Sequence, residues 1–223
     1  MPRSCARAVT FAAATITCVS LAACQPSQKA VNAPVDFGQR IVNADSEPNN
    51  WLTTGRNYAE TRHSPLARIN TSNVGDLGLA WFYDLDTKRA QEATPIVVDG
   101  VLYVSSAWSK VHAFDGVTGK LLWQFDPQVP RATGVKACCD SVNRGVAYWN
   151  GKVYIGALDG RLIAIDAKTG QQVWSAQTTD PAKKHTITGA PRVVHGQVVI
   201  GNGGADMGAR GFVSAYDAET GKL

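Results

Sequence analysis

The sequence has few charged residues and no long hydrophobic run. Charged residues make up 18% of the 223 residues and hydrophobic residues 44%, a balance that excludes a disordered chain and a coiled coil. The net charge is only +4, without a clustered basic patch, so a nucleic-acid-binding protein is not indicated. No apolar stretch reaches the roughly 18 residues of a membrane-spanning helix. The composition favours one globular domain or two small ones.

The N-terminus has the pattern of an export signal. Arg3 and Arg7 precede a stretch of small and apolar residues at positions 8–23, as in secretory signal peptides. The stretch ends in Leu21-Ala22-Ala23-Cys24, which resembles the lipobox of bacterial lipoproteins, whose cysteine carries membrane-anchoring acyl chains. A cleaved signal with an incidental cysteine is the alternative. Both interpretations predict a periplasmic protein, and the first adds membrane attachment through Cys24.

Cysteine is scarce outside this signal. Of the five cysteines, Cys5 and Cys18 lie in the signal and Cys24 is the candidate lipidation site. The remaining two, Cys138 and Cys139, are adjacent, and in an oxidising periplasm we expect them to be joined. A zinc site is disfavoured, because structural zinc pairs keep two to four residues between the thiolates. A buried, unpaired cysteine pair is the other alternative.

The rest of the chain is repetitive. The pattern Ala-x-Asp-x-x-Thr-Gly recurs with its aspartates at Asp115, Asp166 and Asp217, a period of 51 residues. Each repeat opens with two β-rich runs around a turn, continues with a strand into the motif, and places a Trp on a fourth strand. Four short antiparallel strands form one propeller blade. We expect the tryptophans to pack between blades, and the motif Asp and Thr to bond their own turn.

These repeats predict an all-β fold, a partial β-propeller of four-stranded blades over residues 51–223. It follows a signal peptide at 1–23 and a tether and lead-in at 24–50. Two blades are complete and the third nearly so, with Trp81 on an orphan strand. Because propellers typically close with four to eight blades, we expect a fragment. The third repeat has six extra residues within Gly201–Gly211, which predicts a loop on the binding face or a plain flexible loop.

One string of residues makes a resemblance specific. The repeats and Cys138-Cys139-Asp140-Ser141-Val142-Asn143-Arg144-Gly145 resemble the pyrroloquinoline quinone (PQQ) dependent alcohol dehydrogenases. That family comprises eight-bladed periplasmic propellers with PQQ near the axis and a metal, usually Ca²⁺. Gln91-Glu92-Ala93-Thr94-Pro95 and Gly203-Gly204-Ala205-Asp206 also have counterparts there. The resemblance covers about residues 51–223.

The resemblance implies roles for five side chains. A disulfide between Cys138 and Cys139 would cover one face of the planar quinone. Arg144 would bind one of the three PQQ carboxylates, for which its guanidinium fork is suited. Glu92 would accept a hydrogen bond from the cofactor, and the Thr188 hydroxyl would donate one to a carboxylate. Taken alone, Arg144 would be interpreted as half of a surface ion pair, Glu92 as a solvated edge charge and Thr188 as a strand-edge residue.

The glycine-rich segment would complete this part of the site. Gly204 and Ala205 would supply backbone contacts to the cofactor, because small side chains allow close approach. Asp206 stands where the family has a glutamate that binds the metal. Aspartate is also a hard oxygen ligand for Ca²⁺, and a lanthanide is the other ion considered. The shorter side chain predicts altered metal affinity or choice.

The implied reaction oxidises a primary alcohol to an aldehyde by hydride transfer to PQQ, with the metal as Lewis acid. The family's general base and remaining metal ligands fall beyond Leu223, so no catalytic residue is predicted here and the fragment is expected to be inactive alone. The expected acceptor is a cytochrome c or an azurin-like protein. The absence of a C-x-x-C-H motif restricts haem c to a further domain.

A lipid-anchored propeller scaffold of outer-membrane protein assembly, without cofactor, is the alternative. The lipobox and the repeats fit it equally well. The adjacent cysteines, Arg144 and the glycine-rich insertion favour the dehydrogenase.

Overall fold

Three antiparallel β-sheets follow one another along the chain, one for each repeat. The computed structural model describes residues 36–223. The strands are β1 (Ile96–Val98), β2 (Val101–Ser105), β3 (Val111–Asp115), β4 (Leu121–Phe125), β5 (Ala147–Trp149), β6 (Lys152–Gly156), β7 (Arg161–Asp166), β8 (Gln172–Gln177), β9 (Arg192–Val194), β10 (Gln197–Gly201) and β11 (Val213–Asp217). Strands β1–β4, β5–β8 and β9–β11 pair with their neighbours in chain order. The predicted four-stranded blades are therefore confirmed for the first two repeats, and the third has three strands within the described residues.

Helical structure is limited to short elements. The α-helix is α1 (Phe37–Val42), and the 3₁₀ helices are Ala44–Ser46, Val74–Asp76, Ala107–Ser109, Arg131–Lys136 and Ala205–Met207. Within residues 36–223, no helix has the length and apolar character that crossing a membrane requires.

The hairpin that opens each repeat has the backbone its sequence predicts. In the first turn Asp99 has φ +52° and Gly100 has φ +85°, the two positive values that a type I′ turn requires. Asn150-Gly151 and His195-Gly196 repeat this conformation. The turn therefore sets the antiparallel register between β1 and β2, in which Val98 lies opposite Val101.

The Asp-x-x-Thr-Gly motifs close on themselves, as predicted. In the second motif the Asp166 carboxylate accepts hydrogen bonds from the Thr169 backbone N–H at 2.7 Å, the Thr169 hydroxyl at 2.8 Å and the Lys168 N–H at 3.1 Å. The Thr169 bonds, and then the Lys168 bond, hold the pKa of Asp166 below its usual value. The motifs at Asp115 and Asp217 have the same bonds.

Replacement of Asp166 by Asn is expected to reduce the loss of unfolding free energy that wild type shows between neutral and strongly acidic pH. Because the folded-state pKa is depressed, the carboxylate stabilises the fold above its unfolded pKa of about 3.9. That contribution is lost as the pH falls through the folded pKa. Urea unfolding between neutral and strongly acidic pH measures the effect. Asp76→Asn, outside the repeats, is the control, and an equal change in both variants would contradict the assignment.

Each repeat tryptophan joins one blade to the next motif. The indole N–H of Trp123 donates to the Ala167 carbonyl at 2.9 Å, and that of Trp174 to the Ala218 carbonyl at 3.1 Å. Trp81 makes the equivalent bond to the Gly116 carbonyl at 3.3 Å. The predicted packing between blades is thus observed.

The orphan strand is the exception to the predicted pattern. Residues 79–82 form no strand in the described structure. The physical reason is that a strand needs a backbone partner, and no strand of residues 36–223 pairs with this segment. Trp81 docks through its side chain alone.

The segment expected to be a tether is partly folded. Its residues 36–50 contain α1, whose Phe37 and Ile41 are buried. The Phe37 ring lies 4.9 Å from the Tyr148 ring. The lead-in ahead of the predicted propeller domain is therefore ordered from residue 36 onward, because two apolar side chains of this polar stretch are buried in the core. The predicted signal peptide at 1–23 and the lipidation site Cys24 lie outside the described residues.

The chain before each first strand lies beside its counterpart in the neighbouring repeat. Thr94, ahead of β1, forms a parallel bridge with Gly145, ahead of β5. The Arg144 N–H donates to the Thr188 carbonyl, ahead of β9, at 2.9 Å. We call the five residues before each of these strands, 91–95, 142–146 and 187–191, the lead segments. Their adjacency brings residues about 50 positions apart in sequence to one place.

Candidate functional site

The Arg144 side chain connects the three lead segments. Its Nη2 lies 2.9 Å from Oε2 of Glu92, and its Nη1 donates to Oγ1 of Thr188 at 2.6 Å. The side chains of Arg144 and Glu92 keep 46% and 38% of their accessible surface. Three of the predicted cofactor residues thus form one network that remains open to a ligand. Glu92 is therefore not an unpaired edge charge. Arg144 does form the surface ion pair that is its alternative interpretation, and its second contact, to Thr188, extends that pair into a network.

The adjacent cysteines form a disulfide beside this network. Cys138 and Cys139 are bonded to each other, and both residues are exposed. They line a small cleft of about 60 Å³ with Arg144, Thr188 and other residues, namely Lys136, Ala137, Thr186, Gly203, Gly204, Asp206 and Met207. The fold therefore gathers most of the predicted residues in one cleft. Glu92 reaches it through Arg144, and Ala205 lies next to two lining residues.

The glycine-rich insertion contributes four lining residues to the cleft, namely Gly203, Gly204, Asp206 and Met207. Gly203 and Thr186 exchange two backbone hydrogen bonds, of 2.7 and 3.3 Å. Gly204 has φ +131°, a conformation nearly restricted to glycine. Its carbonyl accepts from the N–H groups of Met207 and Ala209, both at 2.9 Å. The Gly203–Thr186 bonds connect the insertion to the chain before β9, and the Gly204 bonds fold the insertion on itself.

Asp206 projects from the short helix Ala205–Met207 and is exposed. Across residues 36–223, no group of three or more His, Cys, Asp or Glu side chains could hold a metal ion. Ca²⁺ takes six to eight oxygen ligands, so Asp206 is at most one ligand of a larger set. Its role as a metal ligand stays a prediction.

Asn143 supports the site and was not singled out from the sequence. It is buried, its Oδ1 accepts from the Ser105 hydroxyl at 2.7 Å, and its amide nitrogen donates to the Gly156 carbonyl at 2.9 Å. The Gly145 N–H also donates to Asn143 Oδ1, at 3.1 Å. Because two of these partners are distant in sequence, no local pattern indicates them. Lys136 and Met207 line the cleft and were likewise missed.

The sequence of the repeat region matches a known protein family and several characterised enzymes. The family model described as "PQQ: Glucose/ethanol/alcohol dehydrogenase, beta-propeller domain" matches residues 51–223. The chain is 61% identical over 193 residues to the quinohemoprotein alcohol dehydrogenase ADH-IIG of Pseudomonas putida, covering 86% of this chain and 27% of that protein. It is 54% identical over 220 residues to the dehydrogenase subunit of the alcohol dehydrogenase (quinone) of Gluconacetobacter polyoxogenes, covering 94% and 30%.

Solved structures agree. The crystal structure of the quinohemoprotein alcohol dehydrogenase from Comamonas testosteroni superposes with a TM-score of 0.79 at 57% identity, covering 83% of this chain and 28% of that one. A europium-containing methanol dehydrogenase superposes with a TM-score of 0.78 at 42% identity, covering 82% and 32%. The chain thus spans less than a third of the length of these relatives. The family match favours the dehydrogenase interpretation over the scaffold. The chain belongs to the β-propeller family of PQQ-dependent glucose, ethanol and alcohol dehydrogenases.

Proposed function

We propose that this chain supplies one wall of the cofactor site of a quinoprotein that oxidises primary alcohols to aldehydes. One observation carries the proposal: the Arg144 fork reaches both Glu92 and Thr188 beside the Cys138–Cys139 disulfide. The names of the relatives, alcohol dehydrogenases of the quinone and quinohemoprotein type, support the substrate class and the cofactor.

The residues present fit PQQ. A planar tricarboxylate needs cationic and hydroxyl donors at its edge, and Arg144 and Thr188 offer both in one network. The disulfide offers a surface without hydrogen-bond donors at the side of the cleft, and the backbone at Gly204 has no side chain to obstruct approach. When bound, PQQ would accept the two electrons removed from the alcohol, transferred as a hydride. These residues bind and orient it.

A metal ion completes the proposed site. Asp206 offers a hard carboxylate oxygen to Ca²⁺ or a lanthanide, with the other ligands coming from residues outside 36–223. The ion would supply Lewis-acid chemistry. We propose no general base among the described residues, and we expect residues 36–223 by themselves not to turn over alcohol.

The proposed acceptor is a cytochrome c, with an azurin-like protein as the alternative. A relative from Thauera butanivorans, 60% identical over 168 residues, is named 1-butanol dehydrogenase (cytochrome c). A haem c of the protein's own would require a further domain. We propose a periplasmic location with lipid attachment at Cys24 on the sequence pattern alone. Mass spectrometry of the mature N-terminus tests it, since an unmodified or absent Cys24 would overturn the attachment.

Reconstitution tests the proposed activity. The whole product of the gene that encodes this chain is purified without cofactor, and PQQ and Ca²⁺ are added with ethanol and a redox dye. We expect dye reduction that requires both PQQ and alcohol. Protein that folds without binding PQQ would overturn the proposal. Protein that binds PQQ without oxidising any primary alcohol would overturn the substrate class.

A further inference from the structure

A cluster of one aromatic ring and three charged side chains lies beside the disulfide, outside the cofactor cleft. The guanidinium carbons of Arg131 and Arg89 lie 4.1 and 5.4 Å from the centre of the Trp108 ring. An Arg89 nitrogen pairs with Oδ1 of Asp140. We call these four residues the Trp108 cluster. None of them lines the cleft that holds Arg144.

The residues of the cluster lie close in sequence to residues of the cleft. Asp140 directly follows Cys139, and Arg89 stands three residues before Glu92. Arg131 begins the short helix Arg131–Lys136 that leads into Cys138. The cluster therefore draws its residues from the chain on both sides of the disulfide and from the segment that carries Glu92.

Three hydrogen bonds donated by backbone N–H groups connect the cluster to the rest of the fold. The Trp108 N–H donates to the Ser141 carbonyl at 2.8 Å, and the Ser141 N–H donates to Asp140 at 2.7 Å. The Ser109 hydroxyl accepts from the Leu158 N–H of the second repeat at 3.0 Å. Trp108 and Ser109 have φ +64° and +60°, left-handed values that non-glycine residues keep only where the surroundings enforce them.

We propose that Arg89 is a positioning residue of the cofactor site, acting through Asp140 on the Cys138–Cys139 disulfide. The ion pair fastens the residue after the disulfide to the Trp108 ring. Without the ion pair, residues 138–140 sample more orientations, and the binding of PQQ must order them again at a cost in affinity. The disulfide also becomes more accessible to external thiols. This inference rests on the proposed function, because it assigns the disulfide as a wall of the PQQ site.

The experiment compares Arg89→Gln, Asp140→Asn and the double variant with wild type, using the whole gene product. Asp140 has φ +69°, and Asn tolerates this conformation as Asp does. Arg131→Gln is the matched control, since it removes a guanidinium from the same ring and keeps the ion pair. The first measurement is the rate at which dithiothreitol reduces the disulfide in cofactor-free protein. The second is the PQQ dissociation constant from an absorbance titration, and the third is the melting temperature.

We expect each single variant to be reduced about threefold faster and to bind PQQ about threefold more weakly, the scale of one partly exposed ion pair. The double variant should match the single variants, because the two residues act as one unit. The control should change either value less than twofold, and the melting temperatures should agree.

Three outcomes would overturn the inference. Unchanged reduction rates in both single variants would do so, as would single effects that multiply in the double variant. An equal effect in Arg131→Gln, accompanied by a lower melting temperature, would indicate a general loss of stability. Failure of the proposed function is distinguishable, because wild type would then not bind PQQ while faster reduction of the Arg89 variant would still support the restraint on the loop.

Discussion

Arg144→Gln should weaken the binding of PQQ by about 30-fold, the scale of one hydrogen bond between a guanidinium and a carboxylate. The substitution removes the fork that spans the Glu92 carboxylate and the Thr188 hydroxyl. It also leaves Glu92 as an uncompensated negative charge beside a cofactor that carries three carboxylates. An absorbance or fluorescence titration of the cofactor-free whole gene product measures the loss.

Two further variants separate charge from geometry. Arg144→Lys keeps the positive charge but cannot reach two partners with a planar fork, so its affinity should fall between wild type and the Gln variant. Arg62→Gln, at an exposed arginine that pairs with Glu60, should bind PQQ as wild type does. Unchanged affinity in Arg144→Gln would remove Arg144 from the cofactor site.

Gly204→Ala is expected to cost about 3 kcal/mol of unfolding free energy, the scale of a steric and backbone-strain substitution. A Cβ at this position would lie 2.4 Å from the Lys184 carbonyl oxygen and 3.1 Å from the Ala209 Cβ. The backbone φ of +131° is also unfavourable for alanine. The loop must therefore move, and the wall of the cleft moves with it. Urea unfolding measures the loss of stability, and the PQQ titration measures the change in the cleft.

Gly203→Ala is the matched control one residue away. Its added Cβ would meet Thr186 at 3.5 Å or more, which is ordinary van der Waals contact. We expect its unfolding free energy to change by less than about 1 kcal/mol, as for alanine at an unstrained position. Equal losses in both variants would contradict the role of the Gly204 backbone in shaping the cleft.

The repeats were predictable because their signals are local. A turn such as Asp99-Gly100 selects positive φ at both positions. A motif aspartate such as Asp166 bonds within three residues of itself. Each of these interactions recurs with the 51-residue period, so the blades could be drawn from the sequence alone. The prediction of a strand around Trp81 was wrong, because a strand needs a backbone partner and the position of a tryptophan does not indicate one.

The candidate site was only partly predictable. The resemblance pointed to Arg144 and to the adjacent cysteines, but not to the contacts among them. Asn143 was missed because its partners Ser105 and Gly156 come from other strands. The Trp108 cluster was missed for the same reason, since Arg89 and Asp140 lie 51 residues apart. Unlike the bonds of Trp123 and Trp174, which recur with the repeat, these polar contacts each occur once, so no repeated pattern indicates them.

The sequence by itself determined the strand order, the hairpin turns and the Asp-x-x-Thr-Gly turns, because each follows from backbone preference and short-range bonds. The recurrence of Trp123 and Trp174 also predicted packing between blades, but their carbonyl partners lie 44 residues away. Tertiary structure alone decided that α1 joins the core and that the lead segments of successive repeats lie side by side. It also decided that Arg144 spans Glu92 and Thr188. The physical reason is that blades pack through side chains from distant parts of the chain, and their positions exist only once the sheets are assembled.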